Sequence, residues 1–89
     1  MEAVLAVHDL KVWPDFFAAI DAGEKPFEVR KNDRGYAVGD TLRLREYAPG
    51  PDEYTGREIE RRVSYLVSGD DVIGFAFGVR QGFVVMGLC

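Results

Sequence analysis

From residue 27 onward the sequence reads as strand and turn: apolar residues alternate with polar ones or run together, and Gly- and Pro-bearing turns cut them into short lengths. Side chains that repeat every second residue line the two faces of a strand, so most of this chain must be sheet. At 89 residues it can build one core, and residues 1–89 are expected to form a single domain. The expected class is α+β: about five strands and one short helix after the first strand. Strands of this length with sharp glycine turns favour a curled sheet or small β-barrel over a flat two-layer sheet.

Ala3-Val4-Leu5-Ala6-Val7 is a short apolar run consistent with a buried strand, and it continues through His8 to Trp13. Pro14 suits the first position of a helix, Asp15 suits its first turn, and Gly23 suits its stop, so residues 14–22 are expected to be helical. Phe16, Phe17 and Ile20 form its apolar stripe. Along 27–30, Phe27 and Val29 face one way, Glu28 and Arg30 the other. Asn32-Asp33-Arg34-Gly35 and Val38-Gly39-Asp40 are turn chemistry. Thr41–Tyr47 is a strand with Leu42 and Leu44 inward, and Glu46 shares their phase. Pro49 begins a loop running to about Gly56. Residues 57–67 form a long strand with Ile59, Val63, Tyr65 and Val67 in phase. Arg61 shares that phase, which requires either a bulge or a partner for Arg61 at the barrel end. Residues 69–81 suggest irregular chain or a single turn, and Phe83–Leu88 a central strand.

Charge narrows the function. Eleven Lys and Arg against fifteen Asp and Glu give a net charge of -4, so general basicity offers no route to nucleic acid. Yet the basic residues concentrate after the helix, in Lys25 and in Arg30-Lys31-Asn32-Asp33-Arg34. A local positive patch on an acidic chain must be held by the fold, while the acidic remainder repels unspecific polyanion contacts. A solvated, salt-bridged turn is the plainer reading of the same residues. One cysteine, Cys89, rules out a disulfide framework, and one His with one Cys argues against structural zinc. No apolar stretch approaches a membrane span, and no secretion leader is read, so a cytoplasmic location without membrane contact is expected. No cofactor is expected, because the P-loop, dinucleotide and nucleophile-elbow patterns are missing.

Four groups of residues are candidates for chemistry. Glu28 and Arg30 share one face of a strand, and Lys25 precedes that strand in the turn after the helix; a carboxylate fixing two cations suits a phosphate or a base edge. His8, Lys11 and Trp13 occupy the strand-to-helix connection, where Trp13 either stacks a base or plugs the core. His8 is a structural hydrogen-bonder unless it lies near Lys25 and Glu28. Lys31, Asn32 and Arg34 extend the basic run. Tyr54 and Arg57 bracket Gly56, and either close over a ligand or belong to a plain hairpin loop.

The ordered residues His8-x-Leu10-Lys11-x-Trp13-Pro14-x-Phe16-Phe17 and Gly23-x-Lys25-x-Phe27-Glu28-x-Arg30-Lys31-Asn32-Asp33-Arg34 resemble the ASCH group of the PUA-like superfamily. More narrowly, they resemble a small bacterial and phage family of unknown function within it. Val38-Gly39-Asp40, Tyr54-Thr55-Gly56-Arg57 and Gly82-Phe83-Val84-Val85-Met86 continue the likeness over roughly residues 7–88. The resemblance implies a PUA-like barrel, a cleft between the early helix and the barrel, and an RNA- or nucleotide-related role. It directs attention to Lys25, Glu28 and Arg30 as cleft residues. Some ASCH proteins resemble amidohydrolases of acylated cytidine that use a Lys, a Thr and a later Glu. Lys25 matches that Lys, Glu28 stands where the Thr would be, and Pro26 replaces a Thr expected after the Lys.

The leading expectation is a binding module for RNA or a nucleotide. Lys25, Arg30, Lys31 and Arg34 would meet phosphate, Glu28 and Asn32 would orient a base, Trp13 or Tyr54 would stack it, and Lys11 and Arg57 would also belong to the binding site. The alternatives are hydrolysis of an acylated nucleoside by Lys25 and Glu28, with His8, and a module that binds a protein partner.

Overall fold

The computed structural model describes residues 5–89. Five strands form one sheet in the order β1-β3-β4-β5-β2, with β1 Val7–Val12, β2 Phe27–Lys31, β3 Thr41–Ala48, β4 Glu53–Ser68 and β5 Phe83–Leu88. Two short helices complete the fold, α1 Pro14–Asp21 and α2 Val72–Ala76. β1 runs parallel to β3, and the other neighbours are antiparallel. The class is α+β, as the sequence indicates.

The barrel is not closed. β1 and β2 are the two edges, and no backbone ladder joins them. Arginine side chains of the β2 segment span the gap instead: Arg30 donates to the carbonyl of Lys11, and Arg34 Nη1 donates to the carbonyl of Asp9 at 2.7 Å. Carbonyls occupied by guanidinium groups cannot serve a fifth, closing ladder, and they are also hidden from edge-to-edge association. The sheet is therefore curled, with its open seam beside α1.

β4 makes the curl. Its first half pairs with β3 and its second half with β5, and the register shifts between Val63 and Tyr65. The bulge does not take Arg61 out of phase, because the reset comes after it. Arg61 keeps the phase of Ile59 and Val63, is half-buried, and donates to the carbonyl of Glu60. Tyr65, expected in phase with Val63, falls on the outer face and is 70% exposed. β4 also begins earlier than expected: Glu53–Gly56 are strand, not loop. The stretch 69–81 contains α2, one short helical piece.

β1 lies later than the apolar run predicts. Ala3 and Val4 fall outside the described residues, and Leu5 and Val7 are exposed. The buried face is His8, Leu10 and Val12, an alternation suited to an edge strand with one solvated side. The core is filled by these two apolar residues with Phe17, Ile20, Leu42, Leu44, Val63, Val84 and Met86. Burying one such side chain is worth about 1.5–3 kcal/mol.

Candidate functional site

The chain from β1 through α1 to β2 builds one wall of the seam. Pro14 fixes the first helical position, and Trp13 before it is extended, at φ -65° and ψ 153°. Phe16 and Phe17 are adjacent on α1 and so point about 100° apart. Phe17 takes the core and Phe16 is left half exposed. Gly23 then adopts φ 78°, the left-handed conformation that ends a helix without a Cβ clash. The amides of Glu24 and Lys25 both return to the carbonyl of Ala19, so Lys25 is held at the end of the helix, two residues before β2.

β2 alternates as expected, but its inward position belongs to the acidic residue. Glu28 is 5% exposed, whereas Phe27 and Val29 are largely exposed. A carboxylate can occupy that position because two cations neutralise it. Lys25 Nζ donates to Glu28 Oε1 at 3.0 Å, and Arg30 Nε donates to Oε2 at 2.8 Å. Lys25 also donates to the carbonyl of Phe27, and its ammonium lies 4.8 Å from the Phe27 ring centre. Side-chain exposures of 18% for Lys25 and 27% for Arg30 leave both cations within reach of solvent.

In front of this trio lies a cleft of about 490 Å³. It is lined by Lys11, Val12, Trp13, Phe16, Lys25, Glu28, Val29, Arg30 and Lys31. Its four cations face a single carboxylate on a chain of net charge -4. Trp13 stands at the mouth, 57% exposed, which overturns its reading as a core plug. Phe16 stands beside it, a cleft residue that the helical stripe had assigned to the core. The adjacency of two Phe residues was the available signal, since one helix face cannot bury both.

Five other sequence candidates lie outside the cleft lining. Arg34 is the strap to Asp9 already described. Asn32 has a buried side-chain oxygen without a hydrogen-bond partner, while its amide donates to the carbonyl of Gly82. Tyr54 lies within β4 and packs edge-on against Tyr47, with the guanidinium of Arg45 3.8 Å from its ring centre. Arg57 reaches Glu46 Oε2 at 3.7 Å and Asp21 Oδ2 at 3.6 Å, and lies over Phe17. Thr55 Oγ1 completes this group by donating to Glu46 Oε1 at 2.7 Å. Tyr54 and Arg57 thus brace the β3–β4 hairpin, and Arg57 also braces α1, instead of forming a loop over a ligand.

His8 is also engaged elsewhere. Its Nε2 lies 2.9 Å from Asp40 Oδ2, and its ring meets Tyr36 edge-on at 4.7 Å. Asp40 further accepts the amides of Ala6 and Ala37, each at 3.0 Å. Burial alone would raise the Asp40 pKa; the amide of Ala6, His8 and the amide of Ala37 together outweigh it and hold it below 3.8. Tyr36 moves the other way: burial raises its hydroxyl pKa, partly opposed by Arg34. The His8–Asp40 pair was not foreseen, because nothing local links residues 32 apart.

Among the described residues no group of three or more His, Cys, Asp and Glu is arranged to hold a metal ion, and no helix is long and apolar enough to cross a membrane. Residues 7–88 match the family described as Domain of unknown function (DUF3850), and the chain belongs to it. It is also similar to an uncharacterized 12.9 kDa protein in the GpA 3' region of Escherichia phage P2, 40% identical over 65 residues. The match covers 73% of this chain and 58% of that relative, so the chain spans less than two thirds of the relative's length.

Proposed function

We propose that this member of the family is a binding module for RNA or a nucleotide, and that the cleft between α1 and β2 is its site. The observation that carries this reading is the lining itself: four cations, one fixed carboxylate and an exposed indole around one hollow, on a chain otherwise acidic. Lys11 and Lys31 meet phosphate. Lys25 and Arg30, already oriented by Glu28, offer their remaining N–H groups to the ligand. Trp13 stacks a base, an interaction worth about 1–3 kcal/mol. The likeness of the His8–Phe17 and Gly23–Arg34 segments to the ASCH group of the PUA-like superfamily supports the same reading, since both segments border the cleft. A cytoplasmic location belongs to the same proposal, as the compartment in which such ligands are abundant.

Trp13 is the chain's one tryptophan, so binding reports on itself. Short RNAs and free nucleotides titrated into the protein quench Trp13 fluorescence, with an affinity that falls as salt rises. Lys25→Ala and Lys31→Ala weaken binding without unfolding the chain. Absence of quenching, or quenching indifferent to salt, refutes the proposal.

One contact favours a second reading, hydrolysis of an acylated nucleoside. Lys25 and Glu28 touch at 3.0 Å at the cleft and form a pair through which a proton can pass. Release of the acid from N-acylated cytidines, followed by chromatography and lost in Lys25→Ala, separates an enzyme from a binding module.

A further inference from the structure

The outer face of the sheet divides into two halves of opposite character. Across β1, β3 and β4 it is charged: Asp9 pairs with Arg43 at 3.3 Å, Arg43 approaches Glu60 at 3.9 Å, and Arg45 approaches Glu58 at 3.7 Å. Across β2, β5 and β4 it is apolar over two rows, before Lys31 comes opposite Phe83. Phe27, Gly87 and Tyr65 stand side by side in register, and Val29, Val85 and Val67 form the parallel row. α2 lies against the end of this face, where a Cβ on Gly74 would come within 3.2 Å of Val67. Its Val72, Ile73, Phe75 and Phe77 point into solvent, Phe77 at 84% exposure. Solvated faces of single-chain proteins do not carry apolar clusters of this extent without a partner.

We propose that this face is a homodimer interface, with a second copy of the chain as its occupant. Three observations select that occupant. The exposed side chains of Phe27, Tyr65, Val72, Ile73, Phe75 and Phe77 total on the order of 800 Å², and the share of it on the sheet side of α2 is what two copies would bury. The two rows themselves carry no charged side chain, with Lys25 beside Phe27 and Lys31 beyond Val29 at their margin, so two copies of a chain of net charge -4 meet here through apolar side chains and not through their acidic surface. The pattern is also self-complementary. A two-fold axis along β5 sets Phe27 of one copy opposite Tyr65 of the other, across the side-chain-free Gly87, and sets α2 against the partner's β2. The apolar stretch Val72–Ala76, which served no purpose in the isolated domain, thereby gains one. The interface adjoins the cleft at Val29, which belongs to both, but the proposal does not depend on what the cleft binds.

Sedimentation equilibrium of the full chain over a range of concentrations tests it. The expected particle has twice the 10.0 kDa chain mass and dissociates on dilution. Tyr65→Asp and Phe75→Asp each shift dissociation to at least tenfold higher concentration with an unchanged circular dichroism spectrum, because both side chains are exposed in the single chain. Arg43→Glu, on the charged half, leaves the mass distribution unchanged. A single-chain mass at every concentration overturns the proposal, as does a dimer indifferent to both apolar-face variants. A dimer broken by Arg43→Glu instead would place the interface on the other half and overturn it equally.

Discussion

Asp40 and Glu28 are both buried carboxylates, and both hold cationic or polar partners at 2.8–3.0 Å, yet they do different work. Asp40 is sealed: two of its partners are backbone amides, the third is the buried His8, and it joins β1, the turn at Ala37 and the start of β3. Glu28 is open: its partners are flexible side chains whose far sides reach an accessible cleft. A backbone amide cannot leave its carboxylate without unfolding the chain around it. A lysine or arginine can turn and share its remaining donors with a ligand. Burial of a charge is thus poor evidence of function by itself, and the mobility of its partners is better evidence.

The sharpest way to break this contrast is to remove each carboxylate. Asp40→Ala leaves two amides and His8 unpaired in the interior, and urea unfolding is expected to show a loss of about 3–5 kcal/mol. The same residue sets an acid limit. Because its folded pKa lies below the ordinary 3.8, its contribution is complete above that value and is lost as pH falls through the lower, folded one. Thermal melts between pH 5 and pH 2 should therefore fall more steeply for the native chain than for Asp40→Asn.

Trp13→Ala sharpens the contrast from the open side. It should leave stability within about 0.5 kcal/mol, as exposed positions do, while nucleotide or RNA affinity falls by about 1–3 kcal/mol in an anisotropy titration. Glu28→Gln should cost about 1–2 kcal/mol in urea unfolding, less than Asp40→Ala, because Lys25 and Arg30 can turn toward water in the cleft. The smallest effect is expected at the outer ladder: Arg43→Ala should change stability by less than about 1 kcal/mol, since its partners Asp9 and Glu60 are largely exposed.

Much of the scaffold was legible in the residues. Pro14 and Gly23 mark α1 to within one residue, Leu42 and Leu44 point inward as their spacing says, and the apolar run of Phe83–Leu88 is central, between β4 and β2. Of the candidate site, Lys11, Trp13, Lys25, Glu28, Arg30 and Lys31 do converge on one cleft. Arg34, Tyr54, Arg57 and His8 do not join them, because each finds a stronger partner nearby: a β1 carbonyl, a tyrosine edge, Glu46 with Asp21, and Asp40. Asn32 stays out of the lining as well. The closed barrel failed for the same kind of reason, since guanidinium groups took the carbonyls of the β1 edge.

Periodicity, turn residues and helix stops act over a few residues, through backbone sterics and short-range hydrogen bonds, and they determined where the strands and α1 run. What they left open is which side of a strand becomes the inside. Strand pairing decided that: the curl of β4 placed Glu28 inward between Lys25 and Arg30 and turned Tyr65 outward after the bulge, and the parallel pairing of β1 with β3 brought His8 to Asp40. Such choices rest on charges and surfaces that meet only after the sheet has bent, so no stretch of sequence contains them.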